Sequence, residues 1–436
     1  MADGSGLVEI RRCLSAISER DGALGAFTWL NPRVVEQAVD SYSTRRNTRR
    51  LIQGVPVAVK ELFDVAGAPQ TGGSFALQEL MAASDAVCVQ ALREQGALVV
   101  GLTRSHEFGW GITTQHETRG GTSHPDAPSR IPGGSSGGSA VAVAAGMARI
   151  ALGTDTGGST RIPAAFCGVV GFKPTWGLIP LTGSIPLAPS LDTAGLIARS
   201  VADIDMAFRA IASSEDSREV NWETIRIGVP VGILDSRELR TEPVRSSSRV
   251  LSRKGARIHE VELPPQEHLL SVFSDVQMRE ALVTHRDVLG TYPSKAELYG
   301  RDVRERLAVA AIQQDREYEG AVAAREKLRR EMGDILNEVD ALLTPIASIA
   351  PPERARPDFL SDGSLPLRAA VMCDTVLQNL CGLPSISVPF GFTPEGFPAA
   401  VQVTSSGHRD GLCLELAEVL DQASPGLPAQ LGRRVP

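Results

Sequence analysis

Two glycine loops separated by one short helix constrain this chain more than any other feature. The first, Gly133-Gly134-Ser135-Ser136-Gly137-Gly138-Ser139, feeds an Ala/Val-rich stretch from Ser139 to Met147 that reads as helix. Residues 118 to 138 are rich in Gly, Pro, Ser and Thr, which favours irregular backbone and puts the polar loop at that helix's N-terminus. The second loop runs from Gly153 to Arg161 and leads into Ile162-Pro163-Ala164. Loops this close in sequence can face one pocket.

The flanking pattern is that of an α/β fold. Val55 to Val59 is a nearly all-apolar run ending in Lys60, a buried strand with a charged group at its tip. A helix-like segment from Val87 to Gln95 precedes a second apolar run, Ala97 to Thr103, and helix followed by strand argues for α/β. Residues 7 to 42 suggest a pair of helices broken at Asn31-Pro32. Ser213 to Glu219 reads as an exposed linker, Arg226 to Val229 as a strand and Val272 to Leu336 as largely helical. Thr344-Pro345 closes the apolar run before it, Pro351-Pro352 mark a loop, and later strands fall at Ser385 to Val388 and Ala399 to Val403. One domain over 1–436 is expected: helices in 1–50, a motif-bearing core in 51–210 and a more variable half in 220–436.

Composition narrows the function classes. With 42% apolar and 22% charged residues, the chain can bury a sizeable core. Its net charge of −7 is spread without a basic run, so nucleic acid is not expected as a direct partner. Of the 44 basic residues five are lysines, which draws attention to where each one stands. The six cysteines lack CxxC or Cys/His spacing and read as buried thiols in a reducing compartment. No uncharged apolar run reaches ~18 residues and the first thirty residues lack a leader pattern, so a cytoplasmic protein with no membrane partner is expected. His106-Glu107 begins like HExxH, but Trp110 stands where the second histidine belongs, and neither a phosphate-gripping Gly-Lys-Ser/Thr nor GxGxxG is present. No metal and no cofactor are expected.

Lysine after a strand, or a Gly/Ser loop before a helix, is each ordinary alone. Together, an uncharged lysine beside a serine, with glycine-rich backbone to bind an oxyanion, supplies every part of an acyl-transfer site without histidine. The arrangement resembles the amidase signature family. The resemblance runs through VPVAVKELFDVAG (Val55 to Gly67), RIPGGSSGGSAVAVAAG (Arg130 to Gly146) and ALGTDTGGSTRIPAAFCGVVGFKPTWG (Ala151 to Gly177). It continues in NLCGLPSISVPFGF (Asn379 to Phe392) and GFPAAVQV (Gly396 to Val403). It implies a central twisted mixed sheet surrounded by helices, with Lys60 as base, Ser135 as bridging serine behind a cis Gly134–Ser135 peptide, and Ser159 as nucleophile. The N–H groups of Thr156, Gly157, Gly158 and Ser159 would form the oxyanion hole, and Lys60 would need a pKa lowered by burial. Ser136 would support the loop, and an Asp155–Arg161 salt bridge would brace it; Lys173, before Pro174, reads as scaffold.

The resemblance implies a small or aryl amide as substrate, with carbamate (urethane) and biuret or urea-type bonds as alternatives, acted on by a monomer or homodimer. A different class is a member of a complex: the A-type component of the tRNA-dependent amidotransferase is similar to this family, works only with partners and releases ammonia from glutamine. An inactive binding module is disfavoured because Lys60, Ser135 and Ser159 are all present. Gly133 to Gly137 also satisfies GxSxG of an α/β-hydrolase, with His408 downstream, but Pro125, Pro128 and Pro132 leave no room for the strand that elbow needs. Glu61 and Thr160 depart from the family pattern, and substrate contacts are expected from residues 110 to 125, 270 to 320 and 345 to 375.

Overall fold

Two helices, α1 (Ser5–Leu24) and α2 (Val34–Ser43), bracket a short strand, β1 (Phe27–Leu30). The computed structural model describes residues 5–43, 50–77, 80–212, 220–236, 238, 241–347, 349–354 and 366–424. The Ser213 to Glu219 linker lies outside the described residues. Strand β1 departs from the expected pair of helices broken at Asn31-Pro32, since the first helix already stops at Leu24, and Gly25 is the reason. At φ +62° it ends α1, and its N–H closes on the Asp21 carbonyl at 2.7 Å, so Phe27 and Trp29 enter the sheet.

The next elements are β2 (Pro56–Lys60), a small hairpin of β3 (Pro69–Gln70) and β4 (Leu80–Met81), α3 (Val87–Glu94) and β5 (Leu98–Thr103). A second hairpin, β6 (Gln115–His116) and β7 (Gly120–Gly121), precedes α4 (Gly137–Ala144), β8 (Ile150–Asp155), α5 (Arg161–Cys167), β9 (Val170–Lys173), β10 (Thr193–Ala198) and α6 (Val201–Ile211). The second half holds β11 (Arg226–Pro230), α7 (Glu242–Arg253), β12 (Arg257–Val261), α8 (Gln266–Val283), α9 (Arg301–Ala310) and α10 (Asp315–Glu338). It ends with β13 (Ala341–Ile346), α11 (Leu367–Met372), α12 (Val376–Cys381), β14 (Ser385–Phe392), β15 (Pro398–Ser405) and α13 (Asp410–Ala423).

Among the described residues eleven strands join in one mixed sheet, in the order β1-β5-β2-β8-β10-β9-β14-β15-β13-β11-β12. Strand β2 runs parallel between β5 and β8, with Val57 opposite Val99 on one side and Ile150 on the other. All three are buried along their whole length, which explains their lack of polar alternation. Helix α4 is equally enclosed: every residue is buried, and it packs on β2, β8, β10 and α5. A helix covered on all sides needs small apolar side chains all round, which the Ala/Val stretch provides.

Pro345 does not end its strand as expected. It lies inside β13, opposite Val401 of β15, while β11 on the other flank pairs only with Ala341 and Leu342. The missing N–H therefore breaks no ladder on that side. Cys373 and Cys381 are half-buried rather than buried. No helix among the described residues is long and apolar enough to cross a membrane.

Candidate active site

Because β2 and β8 are parallel neighbours, their carboxyl ends emerge at one edge of the sheet, where α/β folds place ligands. The tip of β2 carries Lys60 and the tip of β8 carries Thr154 and Asp155. The first glycine loop crosses over both. Lys60 Nζ lies 2.7 Å from Ser135 Oγ, 3.0 Å from Ser136 Oγ and 2.7 Å from Thr154 Oγ1. The Gly134–Ser135 peptide is cis.

Lys60 is fully buried, and loss of solvation brings its pKa down to about 7 against the opposing pull of Asp155, Asp192 and Glu61. Its three neighbours suit a neutral amine. Ser136 Oγ gives its own proton to the Thr154 carbonyl at 3.1 Å, so toward Lys60 it accepts. Lys60 Nζ also donates to Thr154 Oγ1 and Ser135 Oγ, and loss of one proton from the amine frees a lone pair toward these hydroxyls. Thr154 is a participant that the sequence reading missed, although it stands inside the second loop.

Ser159 precedes α5 in the second loop, 8% exposed, and its carbonyl accepts the Ser136 N–H at 3.1 Å, stitching the two loops together. The N–H groups of Thr156, Gly157 and Ser159 have no acceptor among the described residues. Gly158 differs from expectation: its N–H is taken by Asp155 Oδ1 at 2.8 Å. A carboxylate three residues back takes that donor, so three of the four expected amides have no partner among the described residues. Gly158 sits at φ +111°, and a Cβ there would come within 2.5 Å of Thr375 Oγ1, so only glycine fits.

The loop is clamped by a fully buried pair. Arg161 Nε lies 3.0 Å from Asp155 Oδ2 and Nη2 lies 2.9 Å from Oδ1, both residues 0% exposed. Burial works to raise the Asp155 carboxyl, but Arg161 and Lys173 hold it well below the usual carboxylate range. Arg161 also donates to Gln402, Asn379 and the Thr375 carbonyl, and Asn379 Nδ2 reaches Asp155 Oδ1 at 2.9 Å. The distal block from Asn379 to Val403 thus secures the second glycine loop. Thr156 Oγ1 is tied to buried Asp192 at 2.6 Å, a partner that no motif announced.

Both departures from the family pattern have a packing role. Glu61 accepts the Ser105 N–H at 2.8 Å, fixing the strand tip beyond Lys60. Thr160 fills the space above two glycines, since a Cβ on Gly195 would fall 2.3 Å and one on Gly153 3.3 Å from its Oγ1. His408, in a turn at φ +62°, gives its N–H to Thr175 at 2.9 Å, and the segment before Gly133 forms no strand. His106 bonds Asp302 at 3.0 Å and Thr113 at 3.2 Å.

With this fold and this cluster, the comparisons agree: the chain belongs to the amidase family, whose model matches residues 9–414. It is 35% identical over 392 residues to the A component of the glutamyl-tRNA(Gln) amidotransferase of Haloarcula marismortui, covering 81% of this chain and 91% of that one. The component of the same name from Thermus thermophilus is 34% identical over 449 residues, 94% of this chain and 92% of that one. Among solved structures, an amidase shares 33% identity with a TM-score of 0.85 over 96% of each chain. A protein from a vestigial complex bearing on the origins of an s-triazine catabolic enzyme shares 28% identity, with a TM-score of 0.86 over 96% of this chain and 95% of that one. The central mixed sheet wrapped by helices is the amidase signature fold, and the chain is an amidase-family enzyme acting on carbon–nitrogen bonds.

Proposed function

We propose that the chain hydrolyses an amide through an acyl-enzyme on Ser159, with Ser135 as proton relay and Lys60 as base. The observation that carries this reading is the 2.7 Å contact between Lys60 Nζ and Ser135 Oγ, made by a lysine with no solvent access. Neutral Lys60 takes the Ser135 proton while Ser135 takes that of Ser159, whose oxygen attacks the carbonyl carbon. The Ser135–Ser159 link closes as the substrate docks, in keeping with catalytic hydrogen bonds that tighten only in the complex. The amides of Thr156, Gly157 and Ser159 receive the developing oxyanion, and Gly158 joins them if its bond to Asp155 yields. The proton returns along the relay to the departing nitrogen, and water then releases the acyl group. No residue in this scheme calls for a metal or cofactor.

The substrate class is a small-molecule amide, with carbamate and biuret-type bonds open to the same chemistry. A second reading, that the chain serves within an amidotransferase complex and draws ammonia from glutamine, is supported by relatives of that name that align with most of the chain. The test is a panel of primary amides, anilides, carbamates and glutamine, given to the purified chain and to Ser159→Ala. Unaided turnover that the mutant lacks supports a free-standing hydrolase, whereas glutamine turnover only on adding partner proteins supports the second reading. Activity retained by Ser159→Ala defeats both.

A further inference from the structure

The peptide unit joining Thr156 to Gly157 is the least restrained part of the second glycine loop. A peptide unit is rigid and planar, so a bond at its carbonyl restrains where its N–H points. The unit before it is held at the Asp155 carbonyl by Asn379 Nδ2 at 2.9 Å, and the unit after it at the Gly157 carbonyl by Thr375 Oγ1 at 2.7 Å. Among the described residues the Thr156 carbonyl accepts no hydrogen bond and the Gly157 N–H has no acceptor. Yet that N–H is one of the three amides proposed above to receive the oxyanion.

What restrains this unit is the Thr156 side chain. Strands β8 and β10 are antiparallel, with Asp155 opposite Thr193, so the residue after β8, Thr156, comes against the residue before β10, Asp192. Thr156 Oγ1 donates to Asp192 Oδ1 at 2.6 Å, while Asp192 Oδ2 accepts the N–H groups of Leu187 at 2.8 Å and Ala188 at 3.1 Å. Loss of solvation pushes the Asp192 carboxyl up, against the pull of these three donors and of Lys60.

Which partner sets the other follows from what else holds them. The turn from 187 to 192 is fastened by the second half of the chain. Thr284, just beyond α8, donates to the Leu187 carbonyl at 3.3 Å, and Glu280 of α8 accepts the Ser190 N–H at 2.9 Å. Arg325 of α10 donates to the Ser190 hydroxyl and carbonyl, both at 2.6 Å. The turn is thus fixed without help from Thr156, whereas the Thr156 side chain has no second hydrogen bond among the described residues.

We propose that Asp192 is a positioning residue: through the Thr156 hydroxyl it sets the Thr156–Gly157 peptide so that the Gly157 N–H meets the oxyanion. This rests on the acyl-enzyme chemistry proposed above. A donor arranged in advance for the transition state raises kcat, and loosening it forfeits that gain while ground-state binding hardly changes.

The test begins at position 156, where Thr156→Val keeps the backbone amides and drops only the hydroxyl. On an amide that wild type turns over, kcat should fall by about 10- to 100-fold with KM within about 3-fold, because outright loss of an oxyanion donor costs about 10²–10³ and here one is loosened. Thr156→Ser keeps the hydroxyl and should stay within about 3-fold of wild type. Asp192→Asn should also lose kcat, since one carboxamide oxygen can accept from Thr156 or from the turn, and its NH2 can accept from neither. Joining Thr156→Val to Asp192→Asn should cost no more than the worse single variant, within about 3-fold, because both break the same bond. Denaturant titrations check folding; should Asp192→Asn not fold, the comparison of valine with serine at 156 decides alone. Undiminished kcat in Thr156→Val, an effect confined to KM, serine as poor as valine, or multiplying losses in the double variant would overturn the positioning role and leave the acyl-enzyme standing. No turnover of any amide by wild type, or turnover kept by Ser159→Ala, overturns the proposed function and this inference with it.

Discussion

Lys60 and Lys173 are alike in everything except their neighbours. Each ends a sheet strand, each is 0% exposed, and loss of solvation takes each from 10.5 to about 7. Yet Lys60 Nζ meets three hydroxyl oxygens, while Lys173 Nζ caps the Pro174 carbonyl at 2.9 Å with Asp155, Arg161 and Asp410 around it. A carbonyl has no proton to give and no bond to form. A lowered pKa therefore marks burial, and only the acidity of the partner separates a base from a strut.

The sharpest way to break this distinction is to remove each amine without changing bulk. Lys60→Met should lower kcat/KM by about 10⁴-fold, the upper range for a general base acting within a unit. Lys173→Met should stay within about 10-fold, through small shifts of the clamped loop. Steady-state kinetics on any amide that wild type turns over decides it, and a reversed order would move the base to Lys173. In wild type kcat/KM should fall as pH drops through about 7, because protonated Lys60 cannot accept from Ser135.

Asp155 feeds both lysines, raising each pKa, so its loss tests them together. Asp155→Asn leaves Arg161 buried without its partner and should cost about 3–5 kcal/mol of stability in denaturant titrations. In enzyme that remains folded, the acid limb of kcat/KM should move to lower pH, since Lys60 loses the Asp155 charge that offset part of its desolvation and keeps only Asp192 and Glu61. A limb moving to higher pH would contradict the assignment of Lys60.

In stability the two lysines should behave as equals. A pKa lower in the folded than in the unfolded chain means that the unfolded chain takes up a proton first as pH falls from 10.5 toward about 7. Stability from each buried lysine is thus full above 10.5, declines by about 1.4 kcal/mol per pH unit across that window, and is lost once pH passes the folded value. Lys60→Met and Lys173→Met should each remove one such proton from the slope of unfolding free energy against pH. Equal slopes beside unequal rates would isolate geometry as the cause; a flat wild-type slope would mean that neither amine is neutral in the folded state.

How far the sequence announced this arrangement follows from what each signal depends on. The strand ending in Lys60 and the helix after Gly138 were legible because a wholly apolar run has few places to go but the interior. Arg161 and Asp155 sit within one loop, so their pairing was a local inference. Strand β1 was missed because a four-residue strand carries little pattern of its own, and it depends on β5, some seventy residues away, for its partner. Pro345 misled because its tolerance depends on how little of β11 reaches it. Thr154 and Asp192 are ordinary residues until the fold brings Lys60 to one and Thr156 to the other. Lys173 reads as scaffold from Pro174, but its complete burial is a tertiary property that no local pattern contains.

The smallest test concerns Thr160, which lies between the two lysine-bearing regions. Its carbonyl would meet a Cβ on Gly171 of β9 at 2.9 Å, and its side chain packs over Gly153 of β8 and Gly195 of β10. Among the described residues its buried hydroxyl has no hydrogen-bond partner. An unpaired buried hydroxyl destabilises, whereas a methyl of nearly the same shape keeps the contacts and drops the desolvation cost. Thr160→Val should therefore raise the free energy of unfolding by about 1 kcal/mol, measured by denaturant titration. The gain should be the same at pH 6 and pH 9, since no titrating group is altered. A gain that grew or vanished between those pH values would mean that the hydroxyl is coupled to one of the lysines, and the line drawn between a working amine and a structural one would have to include it.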